Sequence, residues 1–135
     1  MKKIDHIGIA VHDLDATAKV YKQLGFTYEK TETVEDQKVR TAFFKVGDSH
    51  LELLEATEPS SPIAKFLGRR GPGIHHISIE VDNLDLALKE YREAGIQMAQ
   101  ETPSIGAGGH RIAFVHPKAA GGVLIELMER HPKHS

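Results

Sequence analysis

Cysteine is absent from the 135 residues, and so is tryptophan. The first absence excludes disulfides, thiolate nucleophiles and every zinc site built on sulfur. The second, with aromatic residues at only 6%, argues against a base-stacking surface for single-stranded nucleic acid. An excess of charge of one sign is also missing: 17 basic and 19 acidic side chains leave a net charge of −2. No electrostatic footprint for nucleic acid or a membrane surface follows from that balance. No apolar run approaches the length of a transmembrane helix, and residues 7–11 are too few for the core of a signal peptide. The expected location is therefore cytoplasmic, with no nucleic-acid or membrane partner. What remains, 40% hydrophobic and 27% charged residues, is the composition of one globular domain. Any metal site must be built from imidazoles and carboxylates, of which the chain has nine and nineteen.

An internal repeat organises the chain. At an offset of 70, Ile4 matches Ile74, His6 matches His76, and Ile7, Ile9 and Val11 match Ile77, Ile79 and Val81. The match continues through Leu14 and Leu84, Asp15 and Asp85, Tyr21 and Tyr91, and Gly25 and Gly95. Ala42-Phe43 then matches Ala113-Phe114 at offset 71, and residues 51–55 resemble 125–129 at offset 74. The added residues fall in the turn at 117–122, where insertion costs little. The chain thus reads as one domain, 1–135, of two modules, about 1–56 and 74–130, joined by a linker at 57–73.

Each module reads as strand, helix and three strands, an α+β arrangement. Residues 4–11 are rich in β-branched side chains. Residues 13–24 open on Asp13 as N-cap and stop before Gly25, with Ala16, Val20 and Leu24 on one face and Tyr21 beside them. Strands follow at 26–34, 38–46 and 49–56. The second module repeats this with a strand at 74–81, a helix at 83–94, and strands near 96–101, 110–115 and 122–128. The linker reads as a turn, a short helix around residues 63–67 and a glycine-rich exit.

Four metal-ligand side chains recur at matched strand positions: His6 and His76 in the first strands, Glu52 and Glu126 in the last. Strand alternation puts Gly8 and Ala10 on the face of His6, and Ser78 on the face of His76, leaving the large aliphatics for the other face. Small neighbours leave room for an ion and a substrate. An acid within Val-Leu-Ile-Glu-Leu-Met is costly to bury unless paired or metal-bound. One such histidine or glutamate alone reads as a hydrogen-bonded core residue or an exposed strand position; the duplicated set reads as a site. Two imidazoles and two carboxylates suit Zn²⁺, Co²⁺, Ni²⁺, Mn²⁺ or Fe²⁺. His12, His75 and His116-Pro117 read as turn or packing residues, His131 and His134 as a polar tail, and His50 and His110 are left open. The segment 105–111 is either a flexible connection or a flap whose backbone N–H groups face a substrate.

The repeat and these motifs resemble the vicinal oxygen chelate superfamily, the glyoxalase/bleomycin-resistance/dioxygenase fold, over about residues 3–129. Within it the chain is most similar to the methylmalonyl-CoA epimerases. The stretches that carry the likeness are 5–11, 61–67, 73–77, 105–109, 116–118 and 121–127. The resemblance implies two tandem βαβββ modules forming a half-barrel sheet around one divalent metal ion (Zn, Co, Ni or Mn) held by His6, Glu52, His76 and Glu126. It implies an isomerase that interconverts (R)- and (S)-methylmalonyl-CoA, Glu126 abstracting the α-proton and the metal stabilising the enolate. The implied partners are a small acyl-thioester substrate and a second copy of the chain in a homodimer. Thr41, Gly108, Gly109, Arg111 and Lys118 are the candidate substrate contacts. One departure stands out: some epimerases carry a second glutamate where this chain has Thr41, and no acid lies in the 38–46 strand. The alternatives with the same fold are glyoxalase I acting on a glutathione hemithioacetal, an extradiol dioxygenase, and a non-enzymatic resistance or binding protein.

Overall fold

The computed structural model describes residues 1–130; His131 and His134 lie outside them. The chain divides into two compact units: His6–His75, and Met1–Asp5 with the chain from His76 onward. The division thus falls at the first strand of each module and not within the 57–73 linker.

In the His6–His75 unit, four strands lie in the order β2-β3-β4-β1: β1 (Lys3–Ala10) from His6 onward, β2 (Thr27–Val34), β3 (Val39–Val46) and β4 (Ser49–Ala56). β1 and β4 are parallel, and the other pairs are antiparallel. α1 (Leu14–Gln23) makes the crossover between β1 and β2, and the Asp13 side chain accepts from Ala16 N as the sequence predicts. The helix faces the sheet through Leu14, Ala18 and Tyr21, at i, i+4 and i+7, which pack with Val11, Ala42, Phe44 and Leu53. This corrects the expected Ala16–Val20–Leu24 face: Val20 and Leu24 are 49% and 67% exposed. Contact with the sheet begins in the first turn, at Leu14, and a 100° step from there carries those three positions off the buried stripe. The linker forms α2 (Pro62–Arg70), capped by Ser61 and packed on β4. His75 stacks edge-on against Phe66 of this helix at 5.1 Å, a packing residue as expected.

The other unit holds β5 (Gly73–Glu80) from His76 onward, α3 (Leu84–Glu93), β6 (Ser104–Ile105), β7 (Arg111–Val115) and β8 (Ile125–Glu129), in the order β5-β8-β7-β6. β5 and β8 are parallel, and Val81, Leu84, Leu88, Ala113 and Leu127 form the core under α3. The strand expected at 96–101 is not formed. Only Met98 bridges to Val115, with Ala99 N donating to Phe114 O and His116 N to Gln97 O. Pairing with β7 resumes only at the two-residue β6, so the edge strand is split by the turn before Pro103.

A clamp that the sequence reading missed occurs in each unit. Arg40 on β3 donates to Asp15 in α1 (2.6 Å) and to Glu55 at the end of β4 (3.2 Å), while Glu55 accepts Leu14 N (2.8 Å). Arg111 on β7 holds Asp85 in α3 (2.8 and 3.1 Å) and pairs with Glu129 (3.5 Å), while Glu129 accepts Leu84 N (3.0 Å). Each carboxylate on the last strand thereby satisfies a helix N-terminal N–H that has no partner within the helix. The signal was available, since Arg40 and Arg111 stand at the same offset, 71, as Ala42 and Ala113.

Candidate functional site

Register and alternation together set which side chains share a sheet face. In the His6–His75 unit, Leu51, Leu53, Ala42 and Phe44 turn toward α1. Glu52 therefore points to the opposite face, paired with Gly8 on one side and Phe43 on the other. His6 lies two residues before Gly8 on that same face. Its Nδ1 is 3.1 Å from Glu52 Oε2, and the two residues are 5% and 4% exposed.

The second unit repeats the construction. Leu127 and Ala113 pack under α3, so Glu126 takes the opposite face, paired with Ser78 and Phe114. His76 Nε2 is 3.8 Å from Glu126 Oε1, and these residues are 6% and 4% exposed. The His76 ring stands edge-on to Phe114 at 5.8 Å. Gly8 and Ser78 are thus the matched small residues beside the matched acids, as alternation in the sequence predicts.

The donor set fits a borderline divalent ion. Bonds of about 2.0–2.2 Å put neighbouring ligand atoms about 3 Å apart in an octahedron and about 3.5 Å apart in a tetrahedron. The 3.1 Å separation at His6–Glu52 is compatible with such an edge and equally with a hydrogen bond, and 3.8 Å at His76–Glu126 is beyond hydrogen-bond reach. A carboxylate this deeply buried needs a positive partner. Two other buried oxygens lie on these faces. Thr41 and Ser78 are fully buried, and neither hydroxyl has a hydrogen-bond partner among the described residues. Thr41 shares the face of Glu52, being two residues from Phe43, and Ser78 is the register partner of Glu126.

The remaining candidates are placed differently. Arg111 alternates to the helix face with Ala113, opposite Glu126, and its guanidinium is held by Asp85 and Glu129. Gly108 and Gly109 sit in a 3₁₀ turn with φ of 75° and 77°, a left-handed conformation that favours glycine. That turn is closed by Gly109 N donating to Gly106 O and Gly106 N to His110 O, so the 105–111 segment is hydrogen-bonded and not a bare connection. Lys118 is exposed in a second 3₁₀ turn, which His116 caps by accepting Lys118 N. His50, left open by the sequence, faces the same side as Glu52 and pairs with Glu29 at 2.7 Å. Glu29 gets there through a bulge: the β2–β3 register shifts between Tyr28 and Lys30.

Two βαβββ repeats that each bury an imidazole and an acid at the same strand positions define a class of metal-site proteins. The chain belongs to the glyoxalase/bleomycin resistance protein/dioxygenase superfamily, whose family model matches residues 5–114. Among its relatives there are several methylmalonyl-CoA epimerases. The human mitochondrial enzyme is 39% identical over 127 residues, 93% of this chain and 72% of the human one. The crystal structure of the Mycobacterium tuberculosis epimerase superposes with a TM-score of 0.92 at 42% identity, covering 96% of this chain and 89% of that one. A Streptomyces coelicolor epimerase variant in complex with 2-nitronate-propionyl-CoA gives a TM-score of 0.94 at 40% identity, over 100% and 99% of the two chains.

Proposed function

We propose that this chain interconverts the (R) and (S) epimers of methylmalonyl-CoA, using one divalent metal ion held by His6, Glu52, His76 and Glu126. The observation that carries the reading is the duplicated buried His–Glu pair, in a chain this similar to epimerases along nearly its whole length.

The chemistry explains why such residues are needed. The α-carbon of the substrate lies between a thioester carbonyl and a carboxylate, and its proton is too weakly acidic for an unaided base at neutral pH. A divalent ion held by His6, Glu52, His76 and Glu126 would supply Lewis acidity worth several kcal/mol of charge stabilisation. Glu126 takes the proton as general base, a contribution of about 10²–10⁴-fold. His6, Glu52 and His76 hold their donor atoms in place on buried strands, so no ordering cost falls on the reaction. Thr41 presents a hydroxyl on the face of Glu52. Gly108, Gly109 and Lys118 are the contacts proposed for the substrate. Arg111 is committed to its helix clamp and is left out of this set. The assembly in this reading is a homodimer in the cytoplasm.

Epimerisation by Glu126→Gln, assayed with metal content measured on the same sample, tests the assignment. The expected result is a loss of at least about 10²-fold, consistent with removal of a general base. Full activity in the variant would overturn the role of Glu126. Conversion of a glutathione hemithioacetal in place of methylmalonyl-CoA would turn the reading to glyoxalase I.

A further inference from the structure

From Pro59 to Ile79 the sequence holds no Asp or Glu, yet it holds Lys65, Arg69 and Arg70, all on α2. The other described arginines are answered: Arg40, Arg111 and Arg130 by carboxylates, and Arg92 by the Glu101 carbonyl. Arg70 stands over the Phe66 ring at 5.9 Å. Lys65 and Arg69 are exposed, and neither side chain makes an ion pair or a hydrogen bond among the described residues.

Helix energetics do not explain this arrangement. A helix C-terminus favours cations, which accounts for Arg69 and Arg70 but not for Lys65, near the opposite end, where the dipole disfavours one. Lys65 and Arg69 are one turn apart, and like charges at that spacing repel. Gly68 shares their face: at 3.6 residues per turn the three fall within an arc of about 100°, turned away from the buried Ile63 and Phe66. Glycine inside a helix is less stable than alanine, and a Cβ at Gly68 would meet nothing within 4 Å. Packing therefore does not require glycine there. A bare position beside two unpaired cations lets an anion approach the helix surface closely.

The placement of α2 says which anion. The helix packs on β4 with Ile63 and Phe66 buried. The α1 side of β4 is filled by Leu51 and Leu53, and neither α2 residue joins that core. α2 thus borders the side of β4 that carries Glu52. We propose that Lys65 and Arg69, with Gly68 beside them, hold the phosphate groups at the nucleotide end of the CoA thioester. This rests on the epimerase reading above. The acyl group and the phosphates lie at opposite ends of the pantetheine arm, so the cations that hold the phosphates belong at the border of the site face and not among the proposed metal ligands. The Arg69 guanidinium matches two phosphate oxygens in one plane, and Lys65 adds a point charge.

The test titrates coenzyme A into the metal-loaded protein by calorimetry, beside pantetheine, which lacks the phosphates. Wild type should bind coenzyme A more tightly than pantetheine, and about 0.5 M NaCl should narrow the difference. Lys65→Glu with Arg69→Glu is expected to weaken coenzyme A at least about tenfold, the low end of what clustered charge contributes to capture of a charged ligand, and to leave pantetheine unchanged. The neutral pair Lys65→Gln with Arg69→Gln should lose less, in the same direction. In turnover, KM for methylmalonyl-CoA should rise with kcat kept, while methylmalonyl-pantetheine reacts equally with all three proteins, which also reports that the variants are folded. Lys19→Glu with Lys89→Glu, exposed on α1 and α3, makes the same change of net charge and should shift neither constant. Unchanged coenzyme A binding in the α2 variants, or an equal loss in that control, would overturn the proposal. Wild type that binds coenzyme A, loses it on reversal of the α2 charges and yet epimerises nothing would uphold the phosphate contact and end the epimerase reading.

Discussion

Glu55→Ala removes the carboxylate that ties β4 to the start of α1, and the structure allows its cost to be worked out. The lost bond is Leu14 N to Glu55 Oε2, 2.8 Å, at a fully buried leucine. Removal of a helix-capping acceptor costs about 0.5–2 kcal/mol, and loss of negative charge at a helix N-terminus adds about 0.3–1 kcal/mol. The Arg40 guanidinium is about one-third exposed (35%), so its pair with Glu55 is screened by solvent; such pairs contribute about 0–1 kcal/mol. The expected loss is about 1–4 kcal/mol. Glu55→Gln keeps an acceptor for Leu14 N and should lose about half of that. Arg40→Met keeps the packing of the stem and should lose no more than about 1 kcal/mol. Urea unfolding followed by far-UV circular dichroism, at low salt and in about 0.5 M NaCl, separates the contributions. The cap survives salt, whereas the Asp15 contact, at an 80% exposed carboxylate, does not. If Arg40→Met costs as much as Glu55→Ala, or if salt erases the Glu55→Ala effect, the strand-to-helix cap is not what these residues provide.

The same clamp in the second unit predicts a pH dependence. The Arg111 guanidinium, by hydrogen bonding, holds the Asp85 carboxyl below its ordinary 3.8. A carboxylate whose folded pKa is depressed adds stability that is present above its unfolded pKa and disappears as pH falls through the folded value. Asp85→Asn should therefore flatten the acid limb of stability below about pH 4 and change little at neutral pH, as read from urea midpoints across pH 2–7. Leu53→Ala and Leu127→Ala delete fully buried side chains at matched places under the two helices. Each should cost about 2–5 kcal/mol by thermal or chemical unfolding, and a cost below about 1 kcal/mol at either would refute the core described here. His76→Ala should lower bound metal below one equivalent by elemental analysis while leaving the thermal transition of the metal-free protein within a few degrees. Retained stoichiometric metal would remove His76 from the ligand set.

The repeat made the strand–helix opening of each module legible, because β-branched runs, an Asp or Asn N-cap and a terminal glycine all point the same way. The burial of the four proposed ligands, His6, Glu52, His76 and Glu126, was legible for the same reason: a buried acid is expensive once and conspicuous twice. Other features depended on partners distant in the chain. The helix face was misassigned because α1 offers two apolar stripes, and only the sheet beneath selects Leu14, Ala18 and Tyr21. The strand at 96–101 reduced to a bridge because backbone pairing, not local propensity, decides an edge strand. The Arg40 and Arg111 clamps were missed although the repeat held them, since arginine on a strand ordinarily reads as solvated surface.

The measurement that bears most directly on the central claim is α-proton exchange of methylmalonyl-CoA in D₂O, with the metal-loaded protein and again after chelation. The account predicts deuterium incorporation together with interconversion of the epimers, both lost on removal of the metal and regained when it is restored. Epimerisation that survives complete chelation would contradict the metal assignment of His6, Glu52, His76 and Glu126, and no exchange by the fully metal-loaded protein would contradict the epimerase reading.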